Sequence, residues 1–170
     1  MALPREYTHQ SCSVARSLEI VGERWSLLIV RDAFFGVRRF SDFSAHLGIP
    51  KAVLSERLEF LVGAGVLERA PGDGRRFTYV LTPKGIGLWP VIRALVEWGD
   101  THYGPPRRTF THAMCGGVVD PAGGCGRCAE VVPVGSTVIS PGPGFERPGD
   151  EADAVSVALA EPRRLLLPMP

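Results

Sequence analysis

Two short amphipathic segments meet at Gly48-Ile49-Pro50, and a turn-rich hairpin follows them. No other feature constrains the fold of this chain as much. FSDFSAHL (40–47) reads as a short helix with Ser41 as its N-cap candidate. Gly48-Ile49-Pro50 is a turn, and Pro50 also suits the first turn of a new helix, where its missing N–H has no partner to lose. That helix runs from Lys51 to about Val62. Leu54, Leu58, Leu61 and Val62 fall on one face; Lys51, Ser55, Glu56 and Glu59 fall on the other, with Arg57 at the flank. Gly63 and Gly65 end it. Residues 66–68 (VLE) and 77–81 (FTYVL) are strand-like. Between them, Pro71-Gly72-Asp73-Gly74-Arg75-Arg76 forms a hairpin tip carrying two arginines.

The flanking segments are helical as well. Residues 12–21 place Val14, Leu18 and Val21 at helical spacing, and 24–35 (RWSLLIVRDAFF) is apolar enough to be largely buried. After the hairpin, Thr82-Pro83 opens a long helix over about 84–103, with Leu88, Val91, Ile92, Leu95 and Trp98 on the helical period and Pro105-Pro106 closing it. Beyond it the chain turns Gly- and Pro-rich, with short β-branched stretches. Residues 141–153 read as linker, 154–159 as a short strand or helix, and 165–167 as an apolar tail. No internal repeat is evident.

Helix, turn, helix and basic-tipped hairpin together make a winged helix-turn-helix. A helix fits the DNA major groove with its N-terminal residues against base edges. Here those are Lys51, Ala52, Ser55 and Glu56, with Arg57. Arg38, Arg39, Arg75, Arg76 and Lys84 are the expected phosphate contacts, with Ser41 a further DNA-contact candidate beside them; the wing arginines can reach phosphates or a narrow minor groove. Charge agrees: residues 1–108 hold 15 Lys and Arg against 11 Asp and Glu, whereas 109–170 hold 4 against 7. The basic half is the better match for a polyanion.

Residues 12–103 resemble the HxlR-type branch of winged-helix transcription regulators, relatives of the MarR proteins. The resemblance is carried by Cys12 and Val14, GERWSLLIVRD (22–32), RRFSDF (38–43), LSERLEFLVGAGVLER (54–69), YVLTPKG (79–85), Pro90 and Trp98-Gly99. One departure is the less polar start of the recognition helix, at Ala52 and Val53. The resemblance implies a homodimer built on the first helix and the long helix, binding double-stranded DNA at a pseudo-palindromic operator as a repressor. The long helix fits that role independently, because its apolar residues cover more than one face.

The remaining signal is His112-x2-Cys115-x9-Cys125-x2-Cys128. Thiolates and imidazole suit zinc, and two such pairs on Gly-rich turns can present four donors to one ion. Four protein ligands leave no open position, so a metal here is structural. The segment has little apolar content, and a metal would supply folding energy that a core does not. Two other readings stand: a Cys-Gly-Arg-Cys redox dithiol, for which the expected βαβ context is missing, and unrelated reduced thiols. Cys12, at the head of the first helix with Arg16 one turn on, is a redox-sensing candidate, as the resemblance also implies.

The 170 residues are 45% hydrophobic and 22% charged, ordinary for a globular protein. The longest strongly apolar run is too short for a membrane span, and MALPREYTHQ lacks a signal peptide's apolar core. A cytoplasmic protein without structural disulfides is expected. The expected fold is mainly α with a small β-wing (α+β). Residues 1–106 form a winged-helix DNA-binding and dimerisation domain, 107–140 a Cys/His-rich zinc-ribbon-like β-type extension, and 141–170 a linker and tail. The expected function is binding rather than catalysis, with a small-molecule or redox effector left open. The alternatives are a winged-helix protein-interaction module and a thiol-based regulator acting through Cys12.

Overall fold

The computed structural model describes residues 7, 9–72 and 76–170. Four helices come first: α1 (Ser13–Val21), α2 (Ser26–Phe34), α3 (Phe40–Leu47) and α4 (Lys51–Gly63). Gly48 ends α3 in the left-handed region at φ 60°, which glycine tolerates without steric cost. Pro50 is the N-cap residue of α4. Strands β1 (Leu67–Pro71) and β2 (Phe77–Leu81) pair antiparallel, with Leu67 opposite Leu81 and Pro71 opposite Phe77. The Tyr79 N–H donates to the Arg38 carbonyl, fixing the wing against the turn before α3. This is a winged helix-turn-helix in an α+β chain.

The expected long helix is broken. It divides into a short α5 (Pro83–Ile86) and α6 (Trp89–His102). Pro90 explains the break: its ring would clash with a carbonyl one turn back, so it is accommodated only in the first turn of a new helix. Ser41 does not cap α3 either. The helix starts at Phe40 with Arg39 as its N-cap residue, two positions before Ser41, and the Ser41 hydroxyl donates to the Asp42 carboxylate at 2.9 Å.

Beyond α6, β3 (Arg108–His112), β4 (Thr137–Pro141) and β5 (Arg163–Arg164) form an antiparallel sheet in the order β3-β4-β5. A 3-10 turn (Val134–Ser136) precedes β4, and α7 (Ala154–Ala158) lies between β4 and β5. Asp153 caps α7 by accepting the N–H groups of Val155 and Ser156 at 3.0 Å.

One core runs through both halves. Trp89 on α6 packs against Phe34 of α2 and Phe110 of β3, with ring centroids 4.9 and 5.8 Å away. Val119, Val132, Ile139, Val155, Leu159 and Leu165 continue the same buried cluster. The segment after residue 107 therefore has apolar anchors that its composition conceals. The tail is anchored as well: the N–H of Leu166 donates to Phe34 and that of Met169 to Gly36. No helix among the described residues is long and apolar enough to cross a membrane.

Candidate nucleic-acid interface and metal centre

The inward face of α4 is set by Leu54, Leu58 and Leu61, all fully buried. Its helical period then turns Lys51, Ala52, Ser55 and Glu56 outward, where all four are exposed. Arg57 takes a different place. It is only 7% exposed, pairs with Glu56 at 2.7 Å and approaches Glu23 to 4.0 Å. Its guanidinium also lies over the Phe60 ring.

The expected phosphate contacts divide in the same way. Arg39, Ser41 and Arg76 are exposed, and they line a cleft of about 780 Å³ between the start of α3 and the wing. Arg38 donates to the Leu166 carbonyl at 3.0 Å, and Lys84 donates to the Ala64 carbonyl at 2.7 Å, at the C-terminus of α4. Arg75 lies outside the described residues. Cys12 is exposed at the N-cap position of α1. Arg16, one turn on, is paired with Glu19 at 3.3 Å.

His112, Cys115, Cys125 and Cys128 converge, with one donor atom from each lying within 4.8 Å of all the others. The His112 Nδ1 is 3.5 Å from the Cys115 sulfur and 3.4 Å from that of Cys128, and the Cys115 and Cys125 sulfurs are 3.4 Å apart. A tetrahedral zinc with bonds of about 2.0–2.3 Å spaces its donors about 3.5–3.8 Å apart. The donor set and its spacing fit such an ion.

Two matching turns build this cluster. The His112 N–H donates to the Gly117 carbonyl and the Gly116 N–H to His112. Thirteen residues on, the Cys125 N–H donates to Glu130 and the Ala129 N–H to Cys125. In both turns the residue after the second ligand is left-handed, Gly116 at φ 70° and Ala129 at φ 59°. This is an internal repeat, although the sequence shows none. Gly117 is required for closeness: a Cβ there would stand 2.5 Å from the Cys125 sulfur. The backbone N–H groups of Cys128 and Arg127 point at that sulfur and lower the Cys125 pKa to about 6, favouring the thiolate a metal needs. For Cys128 the Glu130 N–H acts in the same direction. Desolvation and the neighbouring thiols outweigh it, and the pKa rises.

Arg93 was not singled out by the sequence. It ties the segment between the two Cys/His turns to α6, with its guanidinium 3.8 Å from the centre of the Phe110 ring and donating to the Val119 carbonyl at 3.2 Å. Its position beside Ile92, on the inward stripe from Trp89, is the one signal that could have revealed it.

The family model of the HxlR-like helix-turn-helix matches residues 20–107. The HTH-type transcriptional regulator Rv3095 of Mycobacterium tuberculosis is 45% identical over 140 residues, 79% of this chain and 88% of its own length. That stretch is longer than the winged helix, so the likeness continues into the extension. The crystal structure of PA1607, a candidate transcription factor, is 44% identical, covers 56% of this chain and 68% of its own, and superposes with a TM-score of 0.54. The redox regulator HypR in its oxidised form is 26% identical, covers 54% of this chain and 97% of its own, with a TM-score of 0.50.

Proposed function

The chain belongs to the HxlR-like helix-turn-helix family of transcription regulators, and from that premise we propose that it is a homodimeric repressor of a pseudo-palindromic operator. The observation carrying this reading is the division of α4: Leu54, Leu58 and Leu61 are buried while Lys51, Ala52, Ser55 and Glu56 are exposed beside a wing bearing Arg76. In the major groove those four residues meet base edges, and Arg39, Ser41 and Arg76 meet phosphates on either side.

The dimer reading is supported by apolar side chains left in solvent on two helices: Val14 and Leu18 on α1, and Val91, Leu95 and Trp98 on α6. Pairing through them by a two-fold axis sets the two α4 helices about 34 Å apart, one turn of DNA. We further infer that His112, Cys115, Cys125 and Cys128 hold a structural zinc, since four protein donors complete its shell. The site of action is then the cytoplasm, with the DNA. The redox alternative rests on the exposed Cys12 and the likeness to HypR; the Arg16 charge it invokes is turned to Glu19.

The test is a salt titration of binding to DNA flanking the protein's own gene. Arg76→Ala is expected to weaken binding to all sequences alike and to reduce the slope of log K against log salt by about one. Unchanged affinity at both low and high salt would remove the docking arrangement.

A further inference from the structure

On α6, behind the winged helix, a second cleft of about 480 Å³ is walled by α2, α6 and the C-terminal extension. Its surface is rich in flat rings: Phe35, Trp89, Phe110 and Phe145. Three arginines also line it, Arg31, Arg107 and Arg108, with two carboxylates, Asp100 and Glu146; Arg107 is exposed and lies 3.9 Å from Glu146. The situations of Arg31 and Arg108 differ. The Arg31 guanidinium is paired with Asp32, at 2.7 and 2.9 Å. Arg108 has neutral partners only among the described residues: it donates to the Leu159 carbonyl and lies over the Phe145 ring, 4.3 Å from its centre. Burial, with the Arg31 charge nearby, pushes the Arg108 pKa down.

A half-buried cation facing a like charge, with no carboxylate against it, is an energetic cost that an incoming anion offsets. Guanidinium groups are also suited to gripping a carboxylate through two parallel hydrogen bonds. The volume is in the range of small-molecule sites, which combine apolar walls with a few placed polar groups. We propose that this cleft binds a small organic carboxylate with a flat apolar body, its charge against Arg108 beside Arg31 and its body against Trp89 and Phe110.

Arg108, Phe110 and Phe145 lie beyond residues 20–107, the stretch matched by the family model. The site is therefore made by joining the extension to the winged helix. It also reaches α3 through His46. A ligand there touches the dimer helix, the helix before the recognition helix, and the extension at once. The proposal does not depend on DNA binding and is tested without DNA.

The probe is naphthalene-2-carboxylate, titrated calorimetrically into the full-length protein. The comparators are naphthalene-2-carboxamide, with the same body and no charge, and acetate, with the charge and no body. The carboxylate is expected to bind saturably and at least about tenfold more tightly than either comparator. Arg108→Gln is expected to remove that preference, while Arg76→Ala on the wing leaves it intact. Should Arg108→Gln fail to fold by circular dichroism, Phe145→Ala serves, with an expected loss of at least about threefold for the carboxylate. Equal affinity for carboxylate and carboxamide, no saturation by about 5 mM, or full affinity in the folded Arg108 variant (or, in its stead, the Phe145 variant) would each overturn the proposal.

Discussion

Arg57 illustrates how a residue can look like a base contact and be placed as a structural one. On the sequence it flanks the recognition surface, next to Glu56. In the fold it stands three residues after Leu54 and next to Leu58, close enough to the inward stripe of α4 to be 7% exposed. Its charge is met by Glu56 and Glu23. Arg57→Ala is therefore expected to cost about 1–3 kcal/mol of stability through lost packing and an unpaired acid, with base preference unchanged. Ser55→Ala leaves stability within about 0.5 kcal/mol. It shifts preference at one base position by about 1–3 kcal/mol if Ser55 makes a good base contact. Chemical denaturation and a binding-site selection on both variants check the pair; an Arg57 variant of unchanged stability and altered preference would reverse the assignment. Arg38 and Lys84 carry the same lesson. Their acceptors are the Leu166 and Ala64 carbonyls, and a backbone carbonyl has no residue type by which a sequence could announce it.

At the scale of elements, legibility followed chemistry. The convergence of residues 112, 115, 125 and 128 was readable because cysteine and histidine are rare and their paired spacing is the one a metal would demand. The repeat behind it was not, because it lies in backbone hydrogen bonds and in left-handed residues as unlike as Gly116 and Ala129. The wing strands and α4 were readable from their periodicity. The break at residues 87–88 is hidden in the sequence because apolar spacing continues across it, although Pro90 signals a new first turn. The zinc proposed for these four residues gives a direct expectation. Purified protein should carry one zinc per chain, with Cys12 as its one rapidly reactive thiol. Chelation should expose Cys115, Cys125 and Cys128 to thiol reagents and lower the melting temperature, because metal binding and local folding share one free energy. Four thiols reacting at one rate in metal-replete native protein would exclude a ligated cluster.

The molecule as a whole is more continuous than its composition suggests. Residues 141–170, read as linker and tail, contribute Val155, Leu159 and Leu165 to the common core. The final residues cross back over the winged helix as a strap. The Leu165 N–H donates to Thr137, that of Leu166 to Phe34 and that of Met169 to Gly36, and Arg38 donates to the Leu166 carbonyl. Gly36 makes the passage possible: at φ 96°, a Cβ there would stand 1.8 Å from the Leu167 carbonyl oxygen. Pro168 and Met169 then share a small cleft with Arg39 and with Pro71, Gly72 and Thr78 of the wing. None of this was legible, because a strap held by backbone bonds has neither periodicity nor a motif. Its removal gives the last expectation. Deleting residues 165–170 exposes the site of Leu165, which is 1% exposed, a loss of about 2 kcal/mol for one buried leucine. It also takes away the carbonyl that holds Arg38 and the contacts behind Arg39. The truncated protein should melt earlier and bind DNA more weakly on every sequence, with base preference intact, because Lys51 and Ser55 on α4 are untouched. Melting curves and binding-site selection on full-length and truncated protein measure both effects. An unchanged melting temperature would mean that the strap carries no load in solution, and Arg38 would then be released to act as the phosphate contact its position first suggests.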